Sequence, residues 1–415
     1  MSHHTMNMRY ASSVALIAIG LLSAAPAGAQ VENPEGTPDP SRVRVRIGPL
    51  WLSPTIGLTN LGIDNNVFNE PPEKNPKKDF TFALTPKTNL WLRMGNTWIA
   101  GEINEQILWY QKYSSERSAS ENYLVSWRLP RPWLVVNTNA SYTNSRERPG
   151  FEIDARVTRK EASYGGSVEL RVMSKIFVGV RGDRRTFAFD KAVVFQNANL
   201  SDGLDRTTTA TGLTLRYDLT SLTSLALIAM RIKDQFKLST MRDSTSTLLG
   251  TTVTFDPFAL IKGKATVGVR TFVPVDPDVP RYQGTTAAVD LACSVYGTTR
   301  FTVKFDRDIQ YSYDLNQPYY LQTGVDFSIA QQIFGPVDVI ARVVAQRLDY
   351  AERRGAPIEV RDRIDVIHMF GGGVGYRLGK ELRLGFNVDS SRRISDVQSR
   401  PYEGLKYGTA LTYAF

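Results

Sequence analysis

Hydrophobic and polar residues alternate one by one over long stretches of this chain, from Leu50 to the last residue. In residues 301–313 one alternating set is apolar except for Arg307, and it reads Phe301, Val303, Phe305, Ile309, Tyr311 and Tyr313. Side chains alternate between the two faces of a strand, whereas a helix repeats about every 3.6 residues. The alternation therefore predicts strands with one apolar and one polar face, and similar segments recur at 80–94, 287–295, 319–329 and 405–415.

Two kinds of connection alternate between these segments. Short turns, such as Gly95-Asn96 and Gly335-Pro336, alternate with longer polar stretches, such as 189–205 and 351–363. This asymmetry is typical of transmembrane β-barrels of bacterial outer membranes. The predicted fold class is all-β, a closed antiparallel transmembrane barrel of about eighteen strands, with about 16 to 18 compatible with the pattern. An even count puts both chain ends on the short-turn, periplasmic side.

A soluble, secreted β-sandwich or propeller is the structural alternative. Such folds also alternate, but their turns usually recur every 8–12 residues or so. Here the spacing is longer and no blade-like motif repeats. These features favour the membrane barrel.

The first 29 residues have the pattern of a secretory signal. Arg9 precedes an apolar run from Val14 to Leu22, and Ala27-Gly28-Ala29 is a small-residue cleavage site. The apolar run is shorter than the roughly 20 residues that a membrane-spanning helix needs. We therefore predict a signal peptide at 1–29, a Pro-rich periplasmic linker at 30–48 and a barrel at 49–415. The implied location is the outer membrane of a Gram-negative bacterium, after export through the inner membrane.

The C-terminus adds a second targeting feature. The chain ends Leu-Thr-Tyr-Ala-Phe, with Tyr413 and Phe415 on one face of the final strand. An alternating last strand with a terminal Phe resembles the assembly signal of outer-membrane barrels. It predicts the barrel-assembly machinery as a partner, through that strand.

Composition excludes several kinds of chemistry. The chain has one cysteine and, after the signal, one histidine, His368, which shares the apolar face of its strand. We therefore expect no metal site, no cofactor and no catalytic residues. A lipid-acting enzyme that uses His368 and a serine is the enzymatic alternative, but no G-x-S-x-G-like sequence supports it. No nucleic-acid-binding module is recognisable, despite a net charge of +9.

An eighteen-stranded barrel leaves a water-filled lumen. The alternation places charged residues of both signs in this lumen, with more cations than anions. The candidates are Glu102, Glu169, Arg171, Arg181, Arg216, Lys264, Arg270, Lys304, Asp306, Asp308, Asp326, Arg342, Arg377, Arg383, Asp389 and Lys406. One interpretation is mild selectivity for anionic solutes or acidic polysaccharide. The other is that these charges only solvate a wet interior.

Three further features concern the wall and the loops. Gly371, Gly373 and Gly375 share the inward face of one strand, which leaves space for an inserted loop or a bend. Strand-end aromatics are candidates for interfacial girdles: Trp109, Trp127, Tyr311, Tyr313 and Tyr413.

Arginines are frequent in the long loops and include Arg148, Arg156, Arg353 and Arg363. Either they bind lipopolysaccharide phosphates or acidic polysaccharide, or they only solvate the loops. Outer-membrane lipid and lipopolysaccharide are predicted partners.

The start of the barrel carries a recognisable sequence. Residues 48–58 read GPLWLSPTIGL, and a short segment follows: Asp64, Asn65, Asn66, Val67 and Phe68. This run resembles the putative β-barrel porin family of outer-membrane proteins. The resemblance implies a channel or accessory for exopolysaccharide passage, without catalytic residues. We expect Asp64 and Asn65 to order the first outer loop by bonds from side chain to backbone.

Two functional hypotheses remain open from the sequence. The first is a passive channel for hydrophilic solutes, including anions or exopolysaccharide. The second is a structural or adhesion barrel with a blocked lumen.

Overall fold

The structure is a computed structural model that describes residue 38 and residues 43–256, 259–358, 360–379 and 381–414. The predicted signal peptide, most of the predicted linker and Phe415 lie outside the described residues.

Eighteen long antiparallel strands form the fold, as the alternation predicts. We number them β1 to β18 in chain order. Their bounds are Leu50–Asp64, Asp79–Met94, Thr97–Tyr110, Ser118–Pro130, Leu134–Glu147, Val157–Met173, Ile176–Phe189, Arg206–Asp218, Thr223–Phe236, Ser244–Phe255, Ile261–Pro274, Tyr282–Val295, Thr299–Tyr311, Tyr319–Phe334, Val337–Ala351, Ile364–Leu378, Leu382–Ser395 and Tyr402–Ala414.

The remaining elements are short. A three-residue strand, Val45–Ile47, pairs with the start of β1. The β7–β8 loop contains a small hairpin, Val194–Phe195 with Ala198–Asn199, and the helix α1, Leu200–Leu204. Single 3₁₀ turns occur at Pro72–Lys74, Ser114–Glu116 and Thr240–Arg242. Within the described residues no helix has the length and apolar character to cross a membrane.

The sheet closes on itself, because β18 pairs with β1. The seam joins Tyr413 to Ile56 and Lys406 to Asp64. All other neighbours in the ring are consecutive in sequence and antiparallel, so every barrel strand has two partners. Closure leaves no unpaired edge, which is the condition for strands to cross lipid. The predicted closed barrel of eighteen strands is confirmed.

Connections differ between the two ends of the barrel. At one end, turns of a few residues join β2 to β3, β6 to β7 and β14 to β15. At the other end lie long loops, of which the β7–β8 loop (190–205) is the longest, followed by the β1–β2 loop (65–78) and the β15–β16 loop (352–363). Both barrel ends of the chain lie at the short-turn end, as predicted. We call that end the inner mouth and the long-loop end the outer mouth.

The two faces of the wall differ as the alternation requires. Val180, Leu213 and Leu249 are 55%, 62% and 58% exposed, and they lie on one continuous face because paired residues share a face. We call this the outward face. Its exposed apolar side chains are those that lipid would cover.

The closing seam contains a bulge in β1, where the register to β18 shifts between Leu58 and Leu61. Next to it Gly62 lies against the backbone of β18, so that an added Cβ would stand 2.0 Å from the Tyr407 carbonyl oxygen. Gly57, on the same strand, has no atom closer than 3.9 Å to such a Cβ.

Replacing Gly62 with alanine is expected to lower the free energy of unfolding by about 1 to 3 kcal/mol, because the backbones at the seam must move apart. Gly57→Ala is the matched control and should change it by less than about 0.5 kcal/mol. Urea titration of the lipid-embedded barrel, read by its heat-dependent shift on a gel, measures both. Equal stabilities of the two variants would contradict the tight approach at the seam.

Candidate functional site: the barrel interior and its outer mouth

The face opposite to the exposed apolar side chains carries the charged residues that the sequence singled out. The strand registers place all of the predicted lumen candidates on this inward face: Glu102, Glu169, Arg171, Arg181, Arg216, Lys264, Arg270, Lys304, Asp306, Asp308, Asp326, Arg342, Arg377, Arg383, Asp389 and Lys406. Inward charges of opposite sign stand close enough to pair along much of the wall.

The pairs cross from strand to strand. The Arg342 guanidinium lies 2.5 Å from the Asp389 carboxylate, and Arg383 stands equally close to Asp338, which is fully buried. Further pairs join Lys87 to Glu102, Arg216 to Glu169, Arg270 to Asp308 and Lys304 to Asp290, at 2.9, 2.8, 2.7 and 3.7 Å. Such pairing keeps long side chains against the wall.

One row of the wall shows the arrangement most simply. Lys264, Asp290, Lys304 and Asp326 are register partners on β11 to β14, so that charges alternate in sign around this arc. Opposite charges in adjacent positions stabilise the pairing of neighbouring strands and also present a polar surface to the lumen.

The inward glycines of β16 make room for two of these pairs. A Cβ on Gly371 would lie 2.3 Å from the Asp389 carboxylate, and one on Gly375 would lie 2.2 Å from the Arg383 guanidinium. The side chain of Asn387 occupies the corresponding space at Gly373. The space left by the glycines is therefore filled by charged and polar side chains of β15 and β17, rather than by a loop or a bend.

Cations dominate the inward face near the inner mouth. Within three residues of their strand ends lie Arg93, Arg128, Arg171, Arg216, Lys262, Lys264, Arg300, Arg377 and Arg383. We call these residues the inner-mouth ring. Within the same distance of the strand ends the described inward carboxylates are Asp218, paired with Arg216, and Asp338, which accepts hydrogen bonds from Arg377 and Arg383. Asp290, the register partner of Lys264, lies beside the ring. Four ring members, Arg93, Arg128, Lys262 and Arg300, were not among the predicted candidates.

The outer mouth is crossed by the β5–β6 loop, residues 148–156. The Glu152 carboxylate accepts hydrogen bonds from the Ser312 hydroxyl at 2.6 Å and the Tyr313 amide at 3.1 Å, both in the β13–β14 loop. These two hairpins lie eight strands apart in the ring of eighteen, nearly on opposite sides. The chain therefore spans the mouth at this point.

A charged cluster holds this crossing segment. The Arg393 guanidinium, 1% exposed, donates to the carbonyl oxygens of Phe151 and Glu152 at 3.0 and 3.2 Å. Arg400 donates to the same Glu152 carbonyl, and Asp154 lies 3.3 Å from Arg393 and 3.5 Å from Arg400. We call Glu152, Asp154, Asp365, Arg393 and Arg400 the mouth cluster.

Asp365 joins the mouth cluster to the wall. It is fully buried, pairs with Arg393, and accepts hydrogen bonds from Arg363 at 2.7 Å and from the Tyr350 hydroxyl at 3.2 Å. Glu152 is 2% exposed, and this burial raises the pKa of its carboxyl against the opposing effects of Ser312 and two arginines. The mouth thus concentrates charge in a poorly hydrated place, where each group depends on its partners.

Two aromatic positions contribute to the mouth and not to an interfacial girdle. The β12–β13 ladder ends at Ala287 and Arg307, so the last residues of β13 pair with β14 alone. Tyr311 packs on Phe236 with ring centres 4.8 Å apart, and Tyr313 lies in the loop, 4.9 Å from Phe195. The prediction of a girdle role for these two tyrosines is wrong, because β13 leaves its neighbour before its outer end.

The loop arginines likewise serve the mouth. Arg148 donates to the carbonyl of Val67 in the β1–β2 loop at 2.7 Å, and Arg156 pairs with Glu116 of the β3–β4 loop at 2.7 Å. Arg353 pairs with Asp276 of the β11–β12 loop at 3.0 Å. These three arginines tie loops together, and Arg363 pairs with Asp365 near the start of β16, so all four side chains are occupied by protein groups.

The predicted first-loop motif links two strands and a neighbouring loop. Asp64 accepts from the Asn66 amide at 3.1 Å and pairs with Lys406 of β18 at 3.0 Å. Asn65 accepts from the Leu405 amide at 2.6 Å. Val67 is fully buried, and Phe68 packs edge-on against a tyrosine of the β3–β4 loop. The structure therefore uses the motif at the outer end of the closing seam.

Comparison with known proteins agrees with this architecture. Residues 42–415 match the sequence family described as "Putative beta-barrel porin 2". The chain belongs to this family. The match spans the whole barrel and confirms the resemblance that the first strand and loop indicate. This porin family and this fold are those of outer-membrane channels and not of enzymes.

Crystal structures of porins are similar to this chain at low sequence identity. A BenF-like porin from Pseudomonas fluorescens Pf-5 is 11% identical, with 89% of this chain and 99% of that one covered at a TM-score of 0.47. OprD from Pseudomonas aeruginosa is 9% identical, with 90% and 97% covered at 0.42. The outer membrane protein OpdK from the same species is 8% identical, with 88% and 98% covered at 0.44. No curated protein matches the sequence.

Proposed function

We propose that this family member is a passive channel that favours anionic hydrophilic solutes, acidic exopolysaccharide among them. The inner-mouth ring carries the proposal, because cations outnumber carboxylates there. Fixed cations at a wet entrance raise the local concentration of anions and lower their barrier to entry. The paired charges further along the wall add a polar surface that neutral sugars can also follow.

The mouth cluster favours a second candidate, a structural or adhesion barrel with a blocked lumen. The β5–β6 loop crosses the outer mouth and is held by two buried arginines, Arg393 and Arg400. Recording in planar bilayers separates the candidates. Stepwise currents support the channel, and a folded but silent barrel supports the structural protein.

Anion preference is tested at the inner-mouth ring. Arg128→Gln with Lys264→Gln removes two exposed cations and is expected to lower the anion-to-cation permeability ratio by roughly two- to threefold. The reversal potential in a salt gradient measures the ratio. The matched control, Lys191→Gln with Lys237→Gln, removes two exposed cations from outer loops and should leave the ratio closer to wild type.

Polysaccharide passage is tested with the same recordings. Acidic oligosaccharides added at the inner mouth are expected to interrupt the current for longer than neutral ones of equal length. A cation-selective wild-type channel would contradict the proposed anion preference. Equal interruption times for acidic and neutral oligosaccharides would contradict the proposed passage of acidic polysaccharide.

A further inference from the structure

The outward face of β7 to β11 changes abruptly from apolar to polar. One row of register partners is Val180, Leu213, Ala229, Leu249 and Val269. The next outward row, two residues nearer the outer mouth, is Gly182, Thr211, Arg231, Thr247 and Thr271. The boundary marks the height at which this side of the barrel meets polar lipid groups.

Four cations stand above the boundary. Arg184 and Lys233 are both register partners of Thr209, so their Cα atoms lie roughly 10 Å apart across β8. Arg231 lies two residues below Lys233, and Lys160 lies on β6, four residues nearer the outer mouth than Tyr164, the partner of Arg184. All four are exposed. We call them the outward basic patch.

The patch has no protein counter-charge within the described residues. Its four side chains make no hydrogen bond or ion pair with a described residue, and β5 to β11 place no described carboxylate on the outer half of this face. Two outward cations elsewhere do have carboxylate partners: Arg347 pairs with Asp349 at 2.7 Å, and Arg392 pairs with Glu403 at 3.2 Å.

A groove runs beside the patch. It has a volume of about 550 Å³, and its outward-facing lining includes Thr138, Tyr164, Gly182, Arg184, Thr209 and Thr211. Gly182 leaves its floor bare, since a Cβ there would meet nothing closer than a carbonyl oxygen at 3.9 Å. A groove with an apolar strand face below and cations at its rim fits a molecule with acyl chains and an anionic head.

We propose that the outward basic patch and this groove bind a phosphorylated glycolipid of the outer leaflet, such as lipopolysaccharide. Arg184, Arg231 and Lys233 hold its phosphates, Lys160 lies above them, and the groove seats an acyl chain. Unmatched cations on a lipid-facing wall are costly, whereas phosphates supply the charge-assisted bonds that the protein face lacks. The site is on the outside of the wall and does not depend on what the lumen conducts.

Native mass spectrometry of the detergent-solubilised barrel, titrated with lipopolysaccharide, tests the site. The variant Arg184→Gln, Arg231→Gln, Lys233→Gln is expected to bind about a hundredfold more weakly, at roughly fivefold for each cation. Gly182→Leu, which fills the groove and keeps the cations, should also weaken binding. The control Arg347→Gln with Arg392→Gln removes outward cations that already have carboxylate partners, and it should bind as the wild type does.

Chemical probes identify what is recognised. Dephosphorylated lipopolysaccharide should bind as weakly as the triple variant, and inorganic phosphate should not displace the intact lipid. Unchanged binding by the triple variant would overturn the proposal. An equal loss of lipopolysaccharide binding in the paired-cation control would also overturn it. A wild-type dimer that the triple variant abolishes would overturn it too, because the patch would then bind a second copy of this chain.

Discussion

Shortening the β5–β6 loop is expected to raise the single-channel conductance severalfold. In this variant two glycines replace residues 150–155, so that β5 and β6 are joined by a short hairpin connection. The crossing segment with Glu152 and Asp154 is then absent, while both strands keep their registers. Planar-bilayer recording of the purified barrel measures the change.

The physical reason lies in where the narrowest section falls. An eighteen-stranded wall encloses an aqueous lumen unless a segment folds inside it. Here that segment reaches from the β5–β6 hairpin to Ser312 in the β13–β14 loop, eight strands away around the ring, and Arg393 on β17 holds it. Removing it opens the outer mouth without changing the inner-mouth ring. Anion preference should therefore persist in the larger current.

Glu152→Gln is the matched control for the shortened loop. Glutamine keeps the length of the loop, its amide oxygen can accept from the Tyr313 amide and its NH2 group can donate to the Ser312 hydroxyl, so the mouth should remain closed. If neither the shortened variant nor the wild type conducts, the lumen is obstructed elsewhere. That result would support the structural barrel over the channel. A wild-type conductance equal to that of the shortened variant would show that the loop does not limit flow.

Asp365→Asn is expected to produce the largest loss of stability, about 3 to 5 kcal/mol. Asparagine has nearly the shape of aspartate but leaves the charges of Arg363 and Arg393 together without their shared carboxylate. Both arginine side chains are almost fully buried, at 3% and 0% exposed, so water cannot replace the lost partner. Urea titration of the lipid-embedded barrel measures the change in the free energy of unfolding.

Asp349→Asn serves as the control on the preceding strand. Asp349 also pairs with an arginine, Arg347, but the two side chains are 35% and 51% exposed on the outward face. Its loss should cost less than about 1 kcal/mol, as for other exposed pairs. Comparable losses at the two positions would show that burial of Asp365 does not decide its contribution.

The sequence by itself determined the barrel. Every second residue from 301 to 309 faces one side because strand geometry has a period of two, and that local rule needs no knowledge of distant residues. The same rule placed Arg342 and Asp389 on one face of strands that are far apart in the chain. Turn length, also a local property, separated the two ends of the barrel.

Only the tertiary structure decided what closes the outer mouth. Glu152 is separated from Arg393 and from Arg400 by more than 240 residues, and loops carry no periodicity from which a direction can be predicted. The inward turn of Tyr311 depends on where the β12–β13 ladder stops. The outward basic patch is a similar case. The alternation gives the face of Arg184, but only the registers of three neighbouring strands bring Lys233 beside it.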